Sequence, residues 1–428
     1  MLPFKIDDRP SSEFTASRRD FLRRGSGALA LLGVGSVAAA GTSPLWAGLL
    51  TSSGPRDRTA ELLKTAVEAR YWISANARDV ACGNCHSPLE GFDKTAFDHP
   101  EKYVRCRLCA RECVLGDGER GMCRARINSG GHLKSLVYGR PGAVHLDPIE
   151  KKPFYHFLPG STTFSLGTTG CPLRCEFCQN WELSQARPED YDLSYTSPDR
   201  VVEAAIERSA PIVAFTYNEP TVFIEYLTDI AHRARSRKRS CVLVSCGFMQ
   251  EEPLRELCDG LLDAIKIDLK GFSPDFYRNV CQAELAPVLR SIRQVARSGV
   301  HLEIVNLVVP SLNDSETMLT ELAKWVAGEL GPDVPVHFTR FHPDYRLQNL
   351  PPTPVSTLER AYESARRAGL HYPFVGNVPG HPGNHTYCPR CGKIVIERSG
   401  FFVTAMHLRD GSCEFCGEPI AGVWKSVL

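Results

Sequence analysis

Three cysteines lie close together in one short stretch of the chain. In "GTTGCPLRCEFCQNWELSQ", Cys171, Cys175 and Cys178 have the spacing C-x3-C-x2-C. A [4Fe–4S] cube needs one ligand for each iron, so three thiolates leave one iron open to a ligand that is not protein. The competing interpretations are a zinc ion and a cluster that a remote cysteine completes. Three observations favour the open cluster: the loop follows a predicted strand, the aromatic residue Phe177 precedes the third cysteine, and later strand ends carry polar groups.

Most of the other cysteines also fall into groups. The chain has 17 cysteines, and an odd total fits a disulfide framework poorly. C-x2-C pairs favour metal ligation, because two thiolates at that spacing chelate one ion from one turn. Cys106, Cys109, Cys113 and Cys123 read C-x2-C-x3-C-x9-C. They predict a structural zinc or an auxiliary iron–sulfur cluster that would relay electrons, and spacing alone does not separate the two.

Another pair of cysteines leaves this grouping open. Cys82 and Cys85 with Cys106 and Cys109 give C-x2-C-x20-C-x2-C, which is also a zinc spacing. Cys82, Cys85 and His86 form C-x-x-C-H, the attachment sequence of a c-type haem. A zinc knuckle or a redox pair competes with the haem here, and no distal methionine is obvious nearby.

Near the C-terminus, "YCPRCGK" and "SCEFCGE" are two similar knuckles. They place Cys388, Cys391, Cys413 and Cys416 in the pattern C-x2-C-x21-C-x2-C. The gap is slightly longer than usual, but the pattern is typical of a zinc ribbon, with a rubredoxin-like iron site as the alternative.

Between these groups, apolar strands alternate with amphipathic helices from about residue 160. Near-continuous apolar strands are expected where helices cover a parallel sheet. About six such units predict an α/β fold, a parallel (β/α)6 partial TIM barrel, with reactive groups at the carboxyl ends of the strands. An amphipathic helix is expected over residues 56–75. The predicted parts are residues 1–50 (signal and tail), 51–126 (helix and Cys-rich segment), 127–380 (core) and 381–428 (zinc ribbon).

Composition is that of a globular protein. The 428 residues are 43% hydrophobic and 23% charged, and the net charge is +1. Such a balance gives no reason to expect nucleic acid or an anionic membrane as a partner.

The N-terminus carries an export pattern. Arg18 and Arg19 precede a Gly/Ala-rich apolar run, which is typical of a twin-arginine signal. A transmembrane anchor or a disordered tail is the alternative, although the run is short for a membrane span. The expected location is therefore periplasmic or membrane-associated, after folding in the cytoplasm and passage through the twin-arginine translocation machinery.

The motif C-x3-C-x-aromatic-C after the first strand of a parallel barrel resembles the radical S-adenosylmethionine (SAM) superfamily. More narrowly, the chain resembles the AmmeMemoRadiSam-system radical SAM enzymes, relatives of pyruvate formate-lyase activating enzymes. The matching runs include "VRCRLCARECVLGDGERGMCRAR", "TYNEPTVFIEY" and "PFVGNVPGHPGNHTYCPRCGK", within about residues 103–428. The resemblance implies that SAM binds the open iron, and that one electron breaks its C5′–S bond. The resulting 5′-deoxyadenosyl radical abstracts hydrogen from a substrate.

The resemblance also implies SAM contacts near the cluster. Phe177 would line the adenine, or would simply pack in the core. Where the family reads Gly-Gly-Glu, this chain reads "YNEP", so Asn218 and Glu219 stand in, and Glu219 is the stronger candidate for the SAM amino group. Because the glycine pair is replaced, backbone contacts there are in doubt. A helix-capping turn is the structural alternative.

Further candidates lie at later strand ends. Asp268 and Lys270 alternate to one face, and Lys270 would suit the SAM carboxylate, with a surface salt bridge as the alternative. Asn306 and His342 would contact SAM or substrate unless they are structural.

Two classes of function follow. The first is a radical SAM enzyme, either an activase that makes a glycyl radical on a protein or a catalyst acting on another substrate. It would need a low-potential electron donor, and Memo-like or AMMECR-like proteins of the same system are candidate partners. The second is an exported iron–sulfur electron-transfer protein, with or without haem. Export favours the second class, because SAM and low-potential reductants are made in the cytoplasm.

Overall fold

The structure is a computed structural model that describes residues 58–74 and 102–426. Its first part is a cysteine-rich unit of short strands, and residues 102–135 of it are named the cysteine module. One small sheet has the order β1-β6-β5 and another the order β2-β3-β4. The elements are α1 (Arg58–Leu63), β1 (Val67–Glu68), β2 (Trp72–Ser74), β3 (Val104–Cys106), β4 (Val114–Leu115), β5 (Arg126–Ser129) and β6 (His132–Ser135).

The helix expected over residues 56–75 is wrong beyond its first turns. Helix α1 ends at Leu63, and the chain then pairs as β1 with β6 and as β2 with β3. Leu62 still packs on Ile127 and Leu136, so the apolar face is real. Beyond it, β-branched and aromatic residues favour extended backbone once partner strands are present.

The central element is an eight-stranded sheet whose strands follow one another in chain order. Seven strands run parallel, and β7 pairs antiparallel with β8 at one edge. The strands are β7 (Ala143–Pro148), β8 (Thr162–Gly167), β9 (Ile212–Phe215), β10 (Ser240–Ser245), β11 (Ala264–Asp268), β12 (His301–Val308), β13 (Val336–Arg340) and β14 (Pro373–Gly376). The predicted parallel-sheet core is confirmed. Strands β7 and β14 were not predicted.

Helices connect the parallel strands, and side chains fix where some of them begin. Ser197 Oγ accepts from the backbone N–H of Arg200 and Ser315 Oγ from that of Met318, as N-cap residues do. The helices are α2 (Trp181–Ser184), α3 (Pro198–Glu207), α4 (Ile224–Ser236), α5 (Glu251–Cys258), α6 (Pro274–Phe276), α7 (Leu285–Ser298), α8 (Glu316–Leu330) and α9 (Val355–Arg367). A π turn, Tyr277–Cys281, follows α6.

The C-terminal module, residues 381–426 as described, packs on the segment that follows β7. Tyr155 shares a buried apolar cluster with Phe374, Val395 and Ile396. The module contains β15 (Thr386–Tyr387), β16 (Ile394–Ser399), β17 (Phe402–Met406), β18 (Leu408–Arg409) and β19 (Ser412–Cys413). Among the described residues, no helix combines the length and apolarity that crossing a membrane requires.

Candidate functional site

The three-cysteine loop, residues 168–180 and named the cluster loop, leaves the carboxyl end of β8. The side chain of Asn218, after β9, fastens the loop. Its Oδ1 accepts from the Thr168 backbone N–H at 3.0 Å, and its Nδ2 donates to the Gly170 carbonyl at 2.9 Å. Asn218 is buried, so it positions the loop from β9. The fold therefore places the three cysteines at the edge of the sheet where reactive groups gather.

Burial and neighbouring groups shift the pKa values of the three thiols in the cluster loop. Cys175 is buried, and a hydrogen bond from the Cys281 thiol lowers the pKa of Cys175. Burial raises the pKa of Cys171 and raises that of Cys178 to about 11. The backbone N–H of Leu173 donates to Cys171 Sγ at 3.5 Å. Metal binding to this loop therefore has to displace protons from Cys171 and Cys178.

The spacing of these thiols fits a cluster better than a single ion. Of the described residues, only a group near the C-terminus brings three or more Cys, His, Asp or Glu ligand atoms within 4.8 Å of one another. The cluster loop does not form such a group. Three thiols that are spread around one loop suit a cube with several metal ions, because each thiolate then binds a different metal ion.

Glu219 connects two neighbouring strand ends. Its Oε1 accepts hydrogen bonds from Thr221 Oγ1 at 2.6 Å and from Ser245 Oγ at 2.8 Å, and its Oε2 accepts from the Cys246 N–H at 2.7 Å. It also caps the short 3-10 turn Pro220–Phe223. The carboxylate therefore has a structural role as a cap, while Oε2 retains a lone pair for one further donor.

At the end of β11, two lysines face one carboxylate. Asp268 pairs with Lys266 and, at 3.1 Å, with Lys270. Burial opposes the charge on Lys270, but Asp268 and nearby thiolates hold the pKa of Lys270 well above its usual value. Lys270 Nζ also lies 5.8 Å from the centre of the Phe177 ring, which stacks on Phe276. The structure thus brings Phe177, Asp268 and Lys270 together beside the cluster loop.

The two remaining candidates differ in burial. Asn306 on β12 is buried, and its Nδ2 donates to the Leu269 carbonyl at 2.7 Å. Its Oδ1 has no hydrogen-bond partner. An unpartnered buried acceptor is costly and is best explained by a missing donor. His342 follows β13 and is exposed, so the structure does not bring it into this wall.

Two residues near the site were missed by sequence reasoning. Cys281, on the π turn, hydrogen-bonds to the thiol of Cys175. Cys246 follows β10 and donates its backbone N–H to Glu219. The position of Cys246 as the last residue of the predicted strand "CVLVSC" was a signal that could have found it. Cys281 offered none, because its contact joins segments about a hundred residues apart.

The other predicted metal ligands divide into described and undescribed residues. One small cavity is lined by Cys106, Cys109, Cys113 and Cys123. The zinc or iron–sulfur site that the first grouping predicts there stays a prediction. Cys82, Cys85 and His86 lie outside the described residues, as does the twin-arginine segment. The haem prediction and the alternative zinc grouping therefore stay predictions.

The C-terminal cysteines form what is named the compact cysteine group: Cys388, Cys391, Cys413 and Cys416. Their sulfurs all lie within 4.8 Å of one another. Two Sγ–Sγ distances are 3.6 Å, between Cys388 and Cys416, and 3.8 Å, between Cys391 and Cys413. Four thiols converging at this spacing could hold a metal ion.

Comparison with known proteins agrees with this geometry. A radical SAM superfamily profile matches residues 165–323. The chain is 43% identical over 319 residues to "Uncharacterized protein MJ0808" of Methanocaldococcus jannaschii, covering 74% of this chain and 95% of that protein. It is 22% identical over 171 residues to the pyruvate formate-lyase-activating enzyme of Listeria monocytogenes, covering 37% of this chain and 66% of that enzyme. The chain belongs to the radical SAM superfamily.

Solved structures resemble parts of the fold. A domain of pyruvate-formate lyase-activating enzyme from Bacteroides vulgatus aligns at 18% identity with a TM-score of 0.35, covering 39% of this chain and 98% of that one. A radical SAM methyltransferase from Sphaerobacter thermophilus aligns at 16% identity with a TM-score of 0.41, covering 51% of this chain and 67% of that one.

The predicted membership, with its similarity to pyruvate formate-lyase activating enzymes, is confirmed. It implies an enzyme with a [4Fe–4S] cluster and SAM. The narrower assignment to the AmmeMemoRadiSam-system enzymes stays a prediction. Nothing in these comparisons supports the alternative of an exported electron-transfer protein.

Proposed function

We propose that Cys171, Cys175 and Cys178 hold a [4Fe–4S] cluster whose fourth iron binds SAM. The observation that carries the proposal is the three-thiol loop at the carboxyl end of β8, bordered by unsatisfied and charged groups from neighbouring strands. When bound, the cluster and SAM supply a one-electron cleavage that yields a 5′-deoxyadenosyl radical. The protein's own part is to bind, orient and shield the reactants.

Charge at the end of β11 supports SAM binding. Lys266 and Lys270 face a single carboxylate, Asp268, so the group retains one net positive charge. The ammonium group of Lys270 is a compact point charge, so a ligand carboxylate beside it would neutralise this net positive charge. The neighbouring Phe177 ring offers an apolar surface on the same wall.

Hydrogen-bonding capacity supplies the second part of the recognition. Asn306 Oδ1 is a buried acceptor without a donor, and a ligand amine or hydroxyl would satisfy it. Glu219 Oε2 retains one lone pair for an ammonium group. The side-chain amide of Asn218 is hydrogen-bonded to the cluster loop, so Asn218 acts as a positioning residue.

The substrate is proposed only as a class. The activase branch would generate a glycyl radical on a partner protein, and the other branch would act on another substrate. Memo-like or AMMECR-like proteins are candidate partners, and a low-potential donor would supply the electron. The sequential order of the strands supports a partial barrel around the reactants, because neighbouring strands can then curl without crossing connections.

The compact cysteine group is proposed to hold zinc as a zinc ribbon. With Zn–S bonds of about 2.3 Å, tetrahedral geometry separates the sulfurs by about 3.8 Å. The distances of 3.6 and 3.8 Å agree with this spacing. The twin-arginine pattern supports export of the folded protein, and it leaves open in which compartment the protein acts.

SAM cleavage tests the proposal directly. Anaerobically reconstituted protein is incubated with SAM and dithionite, and 5′-deoxyadenosine is measured by chromatography. The native chain should form it, whereas Cys175→Ala should lose it, because one corner of the cube loses its thiolate. Cys258→Ala is the matched control, since Cys258 is a partly exposed cysteine at the end of α5.

Two outcomes would contradict the proposal. One is native-like deoxyadenosine formation by Cys175→Ala. The other is an iron signal that SAM does not shift in the native protein but does shift in Cys281→Ala, which would make Cys281 a fourth ligand. Haem in a pyridine-haemochrome assay without deoxyadenosine would favour the electron-transfer class.

A further inference from the structure

Four cysteines of the cysteine module line one cavity. The wall of this small cavity includes Cys106, Cys109, Cys113 and Cys123. The first of these is buried and the other three are partly buried. The space is named the cysteine cavity. Its remaining wall is formed by apolar side chains, two arginines and part of the cluster loop.

The thiols of the cysteine cavity are too far apart for one zinc ion. Zinc would separate the sulfurs by about 3.8 Å. Within residues 58–74 and 102–426, only the compact cysteine group gathers at least three ligand atoms within 4.8 Å, so no three cavity sulfurs do. A Cβ placed on Gly121 would lie 3.6 Å from Cys123 Sγ and 3.8 Å from Cys113 Sγ. Gly121 therefore lies next to both of these thiols.

Two guanidinium groups in the wall have unused donors. Arg126 is 1% exposed, and its Nε has no hydrogen-bond partner. Arg111 Nη2 likewise is buried without a partner. Other donors of the two arginines have partners. Arg126 pairs with Glu225, and Arg111 Nε donates to the Pro172 carbonyl at 3.0 Å. Unused buried N–H donors need an acceptor, and their positive charges suit an anionic one.

We infer that the cysteine cavity holds a second iron–sulfur cluster, a [4Fe–4S] cube with one iron on each of Cys106, Cys109, Cys113 and Cys123. A cube separates its thiolates more widely than a single ion does, and it adds sulfides inside the cavity. Sulfides and thiolates would accept from the unused donors of Arg111 and Arg126. All four irons have protein ligands, so this cluster is closed to SAM.

The cysteine cavity and the cluster loop share a wall. Pro172, which directly follows Cys171 in the cluster loop, lines the cavity. Gly170 has φ +97°, and a Cβ there would lie 2.3 Å from the Cys123 carbonyl oxygen. The backbone of the loop is therefore in direct contact with the backbone of a cavity cysteine.

This contact gives the second cluster a role that rests on the proposed function. An external low-potential one-electron donor is oxidised by one electron, and the second cluster is reduced by the same electron. The second cluster would return to its oxidised state by passing that electron across the shared wall to the proposed cluster of Cys171, Cys175 and Cys178, which would be reduced by one electron. No bond is made or broken in the protein, and no proton has to move.

The test removes the cluster loop's ligands and asks what iron remains. A triple variant with Cys171→Ala, Cys175→Ala and Cys178→Ala is reconstituted anaerobically beside the native chain. One cube contributes about four iron and four sulfide ions. The triple variant should keep about half of the native iron, with a reduced-state resonance signal that SAM leaves unchanged. Adding Cys109→Ala and Cys123→Ala should remove that remainder.

Two results would overturn the inference. The triple variant could bind no iron while retaining native circular dichroism, or it could bind zinc at the cavity with a single ion per four thiols. If the variants do not fold, Mössbauer spectra of the native protein decide the matter. Two cubes, only one of which responds to SAM, support the inference, and a single cube excludes it.

Failure of the proposed function would look different. Without SAM cleavage, the triple variant would still retain its iron and the native protein would still contain two cubes. If both clusters exist side by side, their reduced forms should broaden each other's signals in the native protein. The triple variant should show the narrow signal of an isolated cluster.

Discussion

The compact cysteine group and the cysteine cavity each bring four thiols together, but at different separations. In the compact group all four sulfurs lie within 4.8 Å of one another, and in the cavity no three do. Both groups contain a C-x2-C pair, so sequence spacing alone would not separate them. The proposals of a single zinc ion at the compact group and of a cube in the cavity rest on this difference in thiol separation.

The two groups also lie toward opposite ends of the sheet. The C-terminal module packs on Tyr155, whose backbone N–H donates to Glu303 near the start of β12. The cysteine cavity contacts Pro172, beyond the carboxyl end of β8. Reactive groups of parallel α/β folds gather at the carboxyl ends. The compact group is therefore placed to stabilise, and the cavity is placed to take part in chemistry.

The largest effect that would test this comparison is the loss of a ligand from the compact group. Cys413→Ala should lose zinc and destabilise the protein by at least about 3–5 kcal/mol, because structural zinc contributes directly to folding. SAM cleavage per folded molecule should remain close to native. Thermal unfolding, zinc content by mass spectrometry and deoxyadenosine formation at low temperature check these expectations.

Cys258→Ala serves as the matched control here too, because Cys258 belongs to neither group and its loss should leave zinc unchanged. If correctly folded Cys413→Ala loses SAM cleavage as completely as Cys175→Ala, the division of roles between the two regions is wrong.

The sequence alone was enough to place the cluster loop after a strand, but it did not predict the elements around the loop. The motif around Cys175 and the apolar strand runs were enough to place the cluster loop at a strand end. The edge strand β7 was missed, because it pairs antiparallel and includes charged and polar positions. Strand β14 is only four residues long. The helix predicted over residues 56–75 was too long, because the pairing of β1 with β6 overrides the helical pattern after Leu63.

Long-range contacts could not be predicted from local pattern. Nothing near Arg126 in the sequence indicates that its side chain pairs with Glu225 while its Nε has no hydrogen-bond partner. The separation of the four cavity thiols likewise depends on how β3, β4 and β5 are arranged. The sequence therefore does not distinguish zinc from a cluster at these four cysteines, and the proposal of a cluster rests on the separation of their thiols.

The stability of the protein should depend on pH through His156, which lies next to the C-terminal module. His156 is buried beneath the C-terminal module, and its Nδ1 lies 2.7 Å from the Ala421 carbonyl. Burial, with Arg398 nearby and Glu303 opposing, lowers the pKa of His156 from 6.5 to about 3. As pH falls below 6.5, the unfolded chain binds this proton first, so stability present above pH 6.5 declines towards pH 3. The loss should reach roughly 3 kcal/mol at pH 4.

Urea unfolding at pH 7 and pH 4 measures this loss. His156→Asn keeps a donor near the Nδ1 position and does not titrate, so its stability should fall less between the two pH values. Parallel losses in the native chain and in His156→Asn would show that protonation elsewhere, for example at the zinc thiolates, causes acid unfolding.

The smallest predicted effect is electrostatic and belongs to the cysteine cavity. Arg111 lines the cysteine cavity and has a buried N–H group without a partner, and its positive charge would favour the reduced form of the proposed second cluster. Arg111→Met should therefore make that cluster harder to reduce, by roughly 60 mV if about 1.4 kcal/mol is lost. Redox titration followed by spin resonance measures the shift. Arg111→Lys keeps the charge and should shift the potential less, and an unchanged potential in both variants would show that Arg111 does not contact the cluster.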